Sequence, residues 1–551
     1  MVAKKLSSKS TNMLLDIIFS LRSNPIWILP SMVMIGVSLC IVYDYMFPPK
    51  KIPGVFNIPG YPIVGNYFQL LNNPARKCML WHKKYGKSIF SVRLGNKRVV
   101  VVNKFQDVND IWGRSVVNSR PIQFTFHNIV SSTKGFTIGT TPFGPSYKVR
   151  KQFMSQFLNE KNINASIDII DSETNYTIKN ILRNHQLDFQ PSSNPYLRNV
   201  YNFDDIDLYR YLQYFTLRAS ILLTYGIKLD CFNTDNLLCD NIIETENKII
   251  QLRSPISNIT DYFPILRVFE SHEASTLARQ HRDYYMEILL QKYKSFKGPG
   301  IYKNNLINEY MTTNYKNLDS TEFQSVCLTM ISAGLDNTPL NLNHLIGHLT
   351  LHPEFQARAF KELLEVYETS NLIEIWDNIS HSVSSPFIVA LIKETLRYFT
   401  VLPLSLPRVT TKPFNYHGVE IPEGTTLFMN AFAANHDEDK FSQPFEFNPD
   451  RWLHQGKLKS KNIVNHFSFG KGVRMCSGSI LAFKEMYIIM CKMIILFKFK
   501  KPRDSRYLMG LDPFEMNTNP SGTSFEPRVT KVKLVPRVHY GSDDLFNHLK
   551  H

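Results

Sequence analysis

The chain has 551 residues, 43% of them hydrophobic and 20% charged, with a formal net charge of +16. These proportions exclude a disordered or fibrous polymer and fit a globular protein with a sizeable core. The basic excess suits an acidic protein partner or an anionic lipid surface. With no Lys/Arg-rich run and no aromatic–basic repeat, nucleic acid is not an expected partner.

In chain order, residues 1–22 form an N-terminal segment and 23–46 a membrane anchor helix. Ser23 to Tyr43 carries no charged side chain, and at about 1.5 Å per residue it can cross a hydrocarbon core of about 30 Å. It has no small-residue cleavage site, so a retained anchor is expected rather than a removed signal. Flanking charge (Lys4, Lys5, Lys9 and Arg22 before; Lys50 and Lys51 after) does not settle orientation. Residues 47–65, FPPKKIPGVFNIPGYPIVG, read as a stiff extended connector because Pro48, Pro49, Pro53, Pro59 and Pro62 fix φ.

Residues 66–540 form the body and 541–551 a tail. SIFSVRLGNKRVVVVN (88–103) predicts a β-hairpin with a Gly-Asn turn. Helical periodicity fills much of 145–400, with a GPG break at 298–300, and strand-like runs return around 403–430 and 528–535. The fold class is α+β, mainly α: a helix-rich body with a smaller β portion. Cysteines at 40, 78, 231, 239, 327, 476 and 491 are odd in number and irregularly spaced. No disulfide framework and no structural zinc site are expected, and the pattern fits a reducing compartment.

One predicted helix breaks local rules. It runs through CLTMI (327–331) and LNLNHLIGHLTL (340–351), and its middle reads SAGLDNTP (332–339). In a helix interior Gly costs about 1 kcal/mol and Pro about 3 kcal/mol, and a buried Asp336 costs more unless paired. Such violations together mark a functional site. Ala333, Gly334 and Asn337 fall on one face, and Pro339 cannot donate to the carbonyl of Leu335.

The second signal is FSFGKGVRMCSGSILAFKEM (467–486), in which Phe469, Gly472, Arg474, Cys476 and Gly478 give F-x-x-G-x-R-x-C-x-G before a helical pattern. Three readings of Cys476 stand: a thiolate haem ligand held by backbone N–H groups and a helix N-terminus, a small buried hydrophobe, or a nucleophile. As a ligand it would push electron density onto haem iron and favour O–O cleavage.

These motifs resemble the cytochrome P-450 family of haem-thiolate monooxygenases. KETLR (393–397) supplies E-x-x-R with Glu394 and Arg397, FNPDRW (447–452) supplies Arg451, and the Cys loop follows in the family's order. The resemblance implies the cytochrome P-450 fold, with Glu394, Arg397 and Arg451 as a supporting cluster. It further implies haem b (iron protoporphyrin IX) ligated by Cys476 and Arg150, Arg408 and Arg474 toward its carboxylates. Ala333, Gly334 and Phe469 would contact the haem. Asp336, Asn337 and Thr338 are the oxygen-activation residues on this basis. Two positions depart from the family pattern: Asn337 stands where an alcohol is usual, and Ser146 where Trp is usual, with Tyr147 beside it.

A narrower resemblance is to the fungal phenylacetate hydroxylases. It is carried by PIVGNYFQL (62–70), NSRPIQFTFHNIVSSTKGFTIGTTPFG (118–144), and LPLSLPRVTTKPFNYHGVEIPEGTTLFMNAFAANHD (402–437). It implies hydroxylation of a small aromatic acid with O2 and electrons from NADPH through a cytochrome reductase. The enzyme would sit at the endoplasmic reticulum membrane as a single-pass protein with a cytosolic catalytic domain. Lys148, Lys151, Lys471 and Lys484 are candidates for the reductase-docking face or for ordinary solvated surface. Phe124, Phe126 and His127 are pocket candidates, with core packing an equal reading. The loss of the alcohol at 337 leaves open a haem-thiolate isomerase or peroxide-dependent enzyme needing no reductase, and a non-catalytic haem-binding protein.

Overall fold

The computed structural model describes residues 30–36, 49–131, 137–184, 205–295, 304–313, 318–460 and 465–537, with a few single positions besides. Most of the expected anchor, the GPG break and most of the tail lie outside them. Among the described residues no helix is long and apolar enough to cross a membrane.

The hairpin forms as expected. Strands β2 (Ile89–Leu94) and β3 (Lys97–Val102) pair antiparallel, with Gly95 and Asn96 at the turn. Its apolar positions fill the sheet, since Phe90, Val92, Val99 and Val101 are buried. The 47–65 stretch is more than a connector. Phe56–Asn57 is strand β1, parallel to β2, and Ile52, Val55 and Ile58 are buried against the body. Thr426–Met429 pairs parallel with β3, and Arg408–Val409 pairs antiparallel with that strand, completing a five-stranded sheet. The late run around 533–536 pairs with Phe497–Lys500 in a separate two-stranded sheet. The arrangement is helix-rich α+β.

Five helices frame the site: α1 (Pro145–Phe157), α2 (Tyr209–Tyr225), α3 (Ser320–Leu351), α4 (Pro386–Phe399) and α5 (Ser479–Leu496). Helix α3 is the continuous element that the periodicity predicts, with Pro339 inside it. It starts cleanly because Asp319 caps it, accepting a hydrogen bond from Glu322 N at 2.8 Å. Burial on nearly every face offsets the poor local propensity, with α2 packed along it. Helix α4 starts in the same way, with Ser385 accepting from Ile388 N and Pro386 in its first turn.

Cys231 and Cys239 form a disulfide, contrary to the expected absence of bridges. The pairing is local. The turn after α2 brings their Cα atoms to 5.6 Å across eight residues of sequence, a folding-dependent proximity that spacing alone does not reveal.

Four buried histidines carry a stability consequence. His344 stacks on Phe399 at 4.4 Å and His348 on Phe447 at 3.7 Å. Burial pushes His344 and His466 down to about 3, and lowers His348 and His436 well below the usual value. All four are neutral in the fold, while the unfolded chain protonates below about pH 6.5. Their contribution is fully present above pH 6.5 and is lost as pH falls toward 3, by about 1.4 kcal/mol per unit for each group. Glu485, raised to about 8 by burial, works against this trend between pH 4.5 and 8, and burial raises Asp207, Glu246, Asp261 and Asp336 in the same opposing sense. We expect the urea midpoint to fall from pH 7 to 5.5, and the fall to be smaller in an H344F/H348F variant.

Candidate active site

Cys476 lies on the loop between a 3-10 turn (Gly472–Arg474) and the start of α5. Its backbone N–H donates to Phe469 O at 2.9 Å. Gly472 has φ +67, and a Cβ there would meet Trp112 O at 2.3 Å, so the turn requires glycine. The Cys476 side chain is accessible, although protein surrounds much of it. Burial raises its thiol pKa, opposed by the Gly478 N–H and by Lys151. The Gly478 N–H and Lys151 thus favour a thiolate while burial opposes it, and a bound metal cation would deprotonate the thiol outright.

Behind this loop lies a buried ion cluster. Glu394 on α4 receives Arg397 Nη2 at 2.8 Å and Nε at 3.0 Å, Arg451 Nε and Trp452 Nε1 at 2.9 Å each, and Asn448 N at 2.9 Å. Glu394, Arg397 and Arg451 are thus brought together as expected. Arg397 donates onward to Asn435 O, and the Asn435 side chain binds Phe467 N at 2.8 Å and Ser468 Oγ at 3.3 Å. A continuous run of hydrogen bonds therefore reaches from Glu394 into the cysteine loop.

To one side stands a cluster of guanidinium groups. Arg474 donates to the carbonyls of Asn118, Ile138 and Thr141 and lies 3.5 Å from the centre of the Tyr147 ring. Arg408 donates to Trp112 O, Val117 O and Lys471 O. Arg120, which the motif reading passed over, donates to Gly139 O, Leu406 O and Pro407 O. Burial and mutual repulsion lower the pKa of all three, Arg408 to about 9 and Arg474 to about 10. Among the described residues none pairs with an acid, and the buried Trp112 Nε1 beside them has no hydrogen-bond partner. Cations without counter-charge plus an unused donor fit the carboxylates of a porphyrin. Tyr147 takes the expected place beside this cluster. Ser146 instead holds Arg150, which also reaches Ser325 Oγ on α3 at 2.6 Å.

On α3, three consecutive residues face three ways. Asp336 accepts from Tyr209 Oη and Ser524 Oγ, both at 3.0 Å, and borders a polar cavity of about 200 Å³ with Asn247, Asn343 and Glu526. Burial raises its pKa. Asn337 donates from Nδ2 to Ala333 O at 3.2 Å, and its Oδ1 has no partner. Thr338 is buried and bonds to the carboxyl of Glu485 on α5. Ala333 is exposed on the Asn337 face, but Gly334 departs from the expected shared face. A Cβ on Gly334 would lie 3.1 Å from Ser220 Oγ, so its small size serves the approach of α2.

Phe469 packs partly buried against the main core. Phe126 and His127 lie in a π-helical turn (Phe124–Val130) and are buried. Phe126 packs with Val130, Ile249 and Ala278, while His127 Nδ1 accepts from Gln123 N and its Nε2 donates to Thr140 O. Phe124 lies under Arg267 at 4.1 Å. Packing accounts for His127 and Phe124. Lys151 donates to Met475 O and Ser477 Oγ, so it braces the cysteine loop rather than presenting a free charge.

An accessible cysteine on a glycine-dependent loop, an acid-bearing helix and a counter-charge-free guanidinium cluster together define a haem-thiolate protein. The chain belongs to the cytochrome P-450 family, whose model matches residues 56–525. It is 36% identical over 496 residues to phenylacetate 2-hydroxylase of Emericella nidulans, covering 88% of this chain and 91% of that one. It is 30% identical over 504 residues to 3-hydroxyphenylacetate 6-hydroxylase of the same organism (90% and 92%). A cytochrome P-450 monooxygenase of Mycosarcoma maydis matches at 31% over 538 residues (94% and 93%). The protein is therefore a monooxygenase with a haem-iron cofactor, which sets aside the non-catalytic reading.

Motif reasoning missed Arg120, Trp112 and Glu485 although all three stand in or beside quoted motifs. Tyr209 and Ser524 lie 127 and 188 residues from Asp336, and no local pattern marks them. Replacing Glu394 by Gln removes the charge that two buried arginines need. We expect E394Q to lose about 3–5 kcal/mol of stability, read as a lowered thermal midpoint, with E394D recovering only part.

Proposed function

We propose that the protein hydroxylates a small aromatic carboxylic acid, using O2 and electrons from NADPH delivered by a reductase. The observation that supports this most is likeness over nearly the whole chain to two enzymes named for phenylacetate substrates. In this reading Cys476 holds the iron of haem b, and Arg120, Arg408 and Arg474 with Trp112 hold its carboxylates. Bound there, haem supplies the activation of O2 for insertion of one oxygen atom.

The protein's own groups do the rest. Asp336, hydrogen-bonded to Tyr209 and Ser524 beside a polar cavity, takes protons from solvent and releases them toward the Asn337 side. Asn337 Oδ1 is an acceptor and orients a water or substrate donor, but an amide does not relay a proton as a hydroxyl does. We place the enzyme at the endoplasmic reticulum membrane, single-pass with its catalytic domain in the cytosol, on the uncharged 23–43 segment and the basic net charge. A peroxide-dependent or isomerase reading rests on one observation, the absence of a hydroxyl at 337.

With purified reductase, phenylacetate or a hydroxylated relative is expected to stimulate NADPH use and to yield a hydroxylated product. NADPH use that no aryl acid stimulates sinks the reading. N337T separates the two chemistries: in a reductase-driven enzyme it retains product formation and releases less peroxide per NADPH. If the variant loses NADPH-driven turnover, the amide is essential. A peroxide-driven native enzyme that ignores NADPH favours the second reading. R120M is expected to retain several-fold less haem per polypeptide after dialysis, since it removes one of three cations from an otherwise unneutralised site.

A further inference from the structure

Arg253 follows the helix Asn236–Leu252 as its C-terminal cap. Its Nε is buried without a hydrogen-bond partner. Among the described residues its guanidinium forms no ion pair and no hydrogen bond to protein. Other buried arginines differ in this respect: Arg218 is tied to Glu173, Arg282 to Asp283 and Val130 O, and Arg397 to Glu394. Two acids are near enough to attract Arg253, Glu246 and Asp336. Both are committed elsewhere, Glu246 to Tyr285 Oη at 2.7 Å and Asp336 to Tyr209 and Ser524. Burial lowers the Arg253 pKa, as expected for a desolvated cation lacking a bonded anion.

Its chain neighbours Ile250 and Gln251 line the cavity that Asp336 borders. The guanidinium carbon is 6.0 Å from the centre of the Phe126 ring. Ser254 Oγ donates to Ser521 O at 2.6 Å, and Thr523 Oγ1 donates to Ile250 O at 3.2 Å, so the helix end is tied to the segment carrying Ser524. Asp336, the charge on α3 that it feels, immediately precedes Asn337 of the open face. A half-buried guanidinium whose Nε is buried without a partner, and which bonds to no protein group among the described residues, is matched to a carboxylate.

We propose that Arg253 is the substrate's carboxylate anchor. The proposal rests on the aryl-acid reading given above and adds the residue that selects acid over neutral analogue. The anion would neutralise a cation that is costly to bury alone, so acid binding and local stability reinforce each other.

The test compares holo wild type, R253M and R253K by equilibrium dialysis with phenylacetate and with its neutral isostere phenylacetamide. R253M is expected to weaken phenylacetate binding by about 30-fold or more and to leave phenylacetamide within about 3-fold of wild type. R253K is expected to restore part of the acid affinity, since it keeps the charge and loses the fork. If R253M does not fold, R253K carries the test by its partial, acid-specific loss. Unchanged phenylacetate binding in R253M or R253K, or equal losses for acid and amide, overturns the Arg253 assignment and leaves the aryl-acid reading standing. Wild type that binds no arylacetate overturns both.

Discussion

A carboxylate with no exposed surface is tolerable only when its oxygens are saturated, and Glu394 is the group whose saturation the site depends on. Five donors from four residues converge on it. Removing one partner from such a buried cluster costs about 3–5 kcal/mol, far more than an exposed pair contributes. The cluster's value lies in position as much as in stability. Arg397 carries the linkage to Asn435, Asn435 to Phe467 and Ser468, and Phe469 O then receives the Cys476 N–H. The cysteine loop has few apolar anchors of its own. Its place relative to α3 is set through this run of hydrogen bonds.

Helix α3 solves the complementary problem of bringing polar groups into a core without melting the core. Asp336, Asn337 and Thr338 are consecutive, so the helical turn sends them about 100° apart. One meets Tyr209 and Ser524, one its own backbone and an open side, and one Glu485 on α5. Asp336 and Thr338 are met by different neighbouring elements, and Asn337 by its own helix. That division explains why a segment with poor helical propensity persists as one helix. The deficit of about 4 kcal/mol from Gly and Pro is small beside the burial on both flanks.

The sequence made the fold class, the hairpin, the long helix and the Glu-Arg-Arg cluster legible, because each depends on short-range periodicity or a motif of fixed order. The positions of Arg474, Arg408 and Tyr147 were legible for the same reason. Arg120 was not, since its role arises only where residues near 120, 139 and 407 meet. The Cys231–Cys239 bridge and the docking of Phe56–Asn57 onto the sheet were missed because composition reports neither proximity nor pairing. Gly334 shows a subtler limit. Helical phase put it on the Asn337 face, whereas it lies toward Ser220 of α2, whose approach requires the small side chain.

The residue at 337 now has a defined chemical character. Its Nδ2 bonds back to Ala333 O, and that bond fixes the amide's orientation, because only the nitrogen can donate to a carbonyl. The group left over is Oδ1, buried without a partner, an acceptor without a proton of its own. A hydroxyl at this place could accept and donate in the same event. In the proposed reaction the amide leaves proton supply to Asp336, whose pKa burial raises and whose hydrogen bonds from Tyr209 and Ser524 oppose that rise. In the proposed reaction Asn337 would position and Asp336 would supply, while Thr338 faces Glu485.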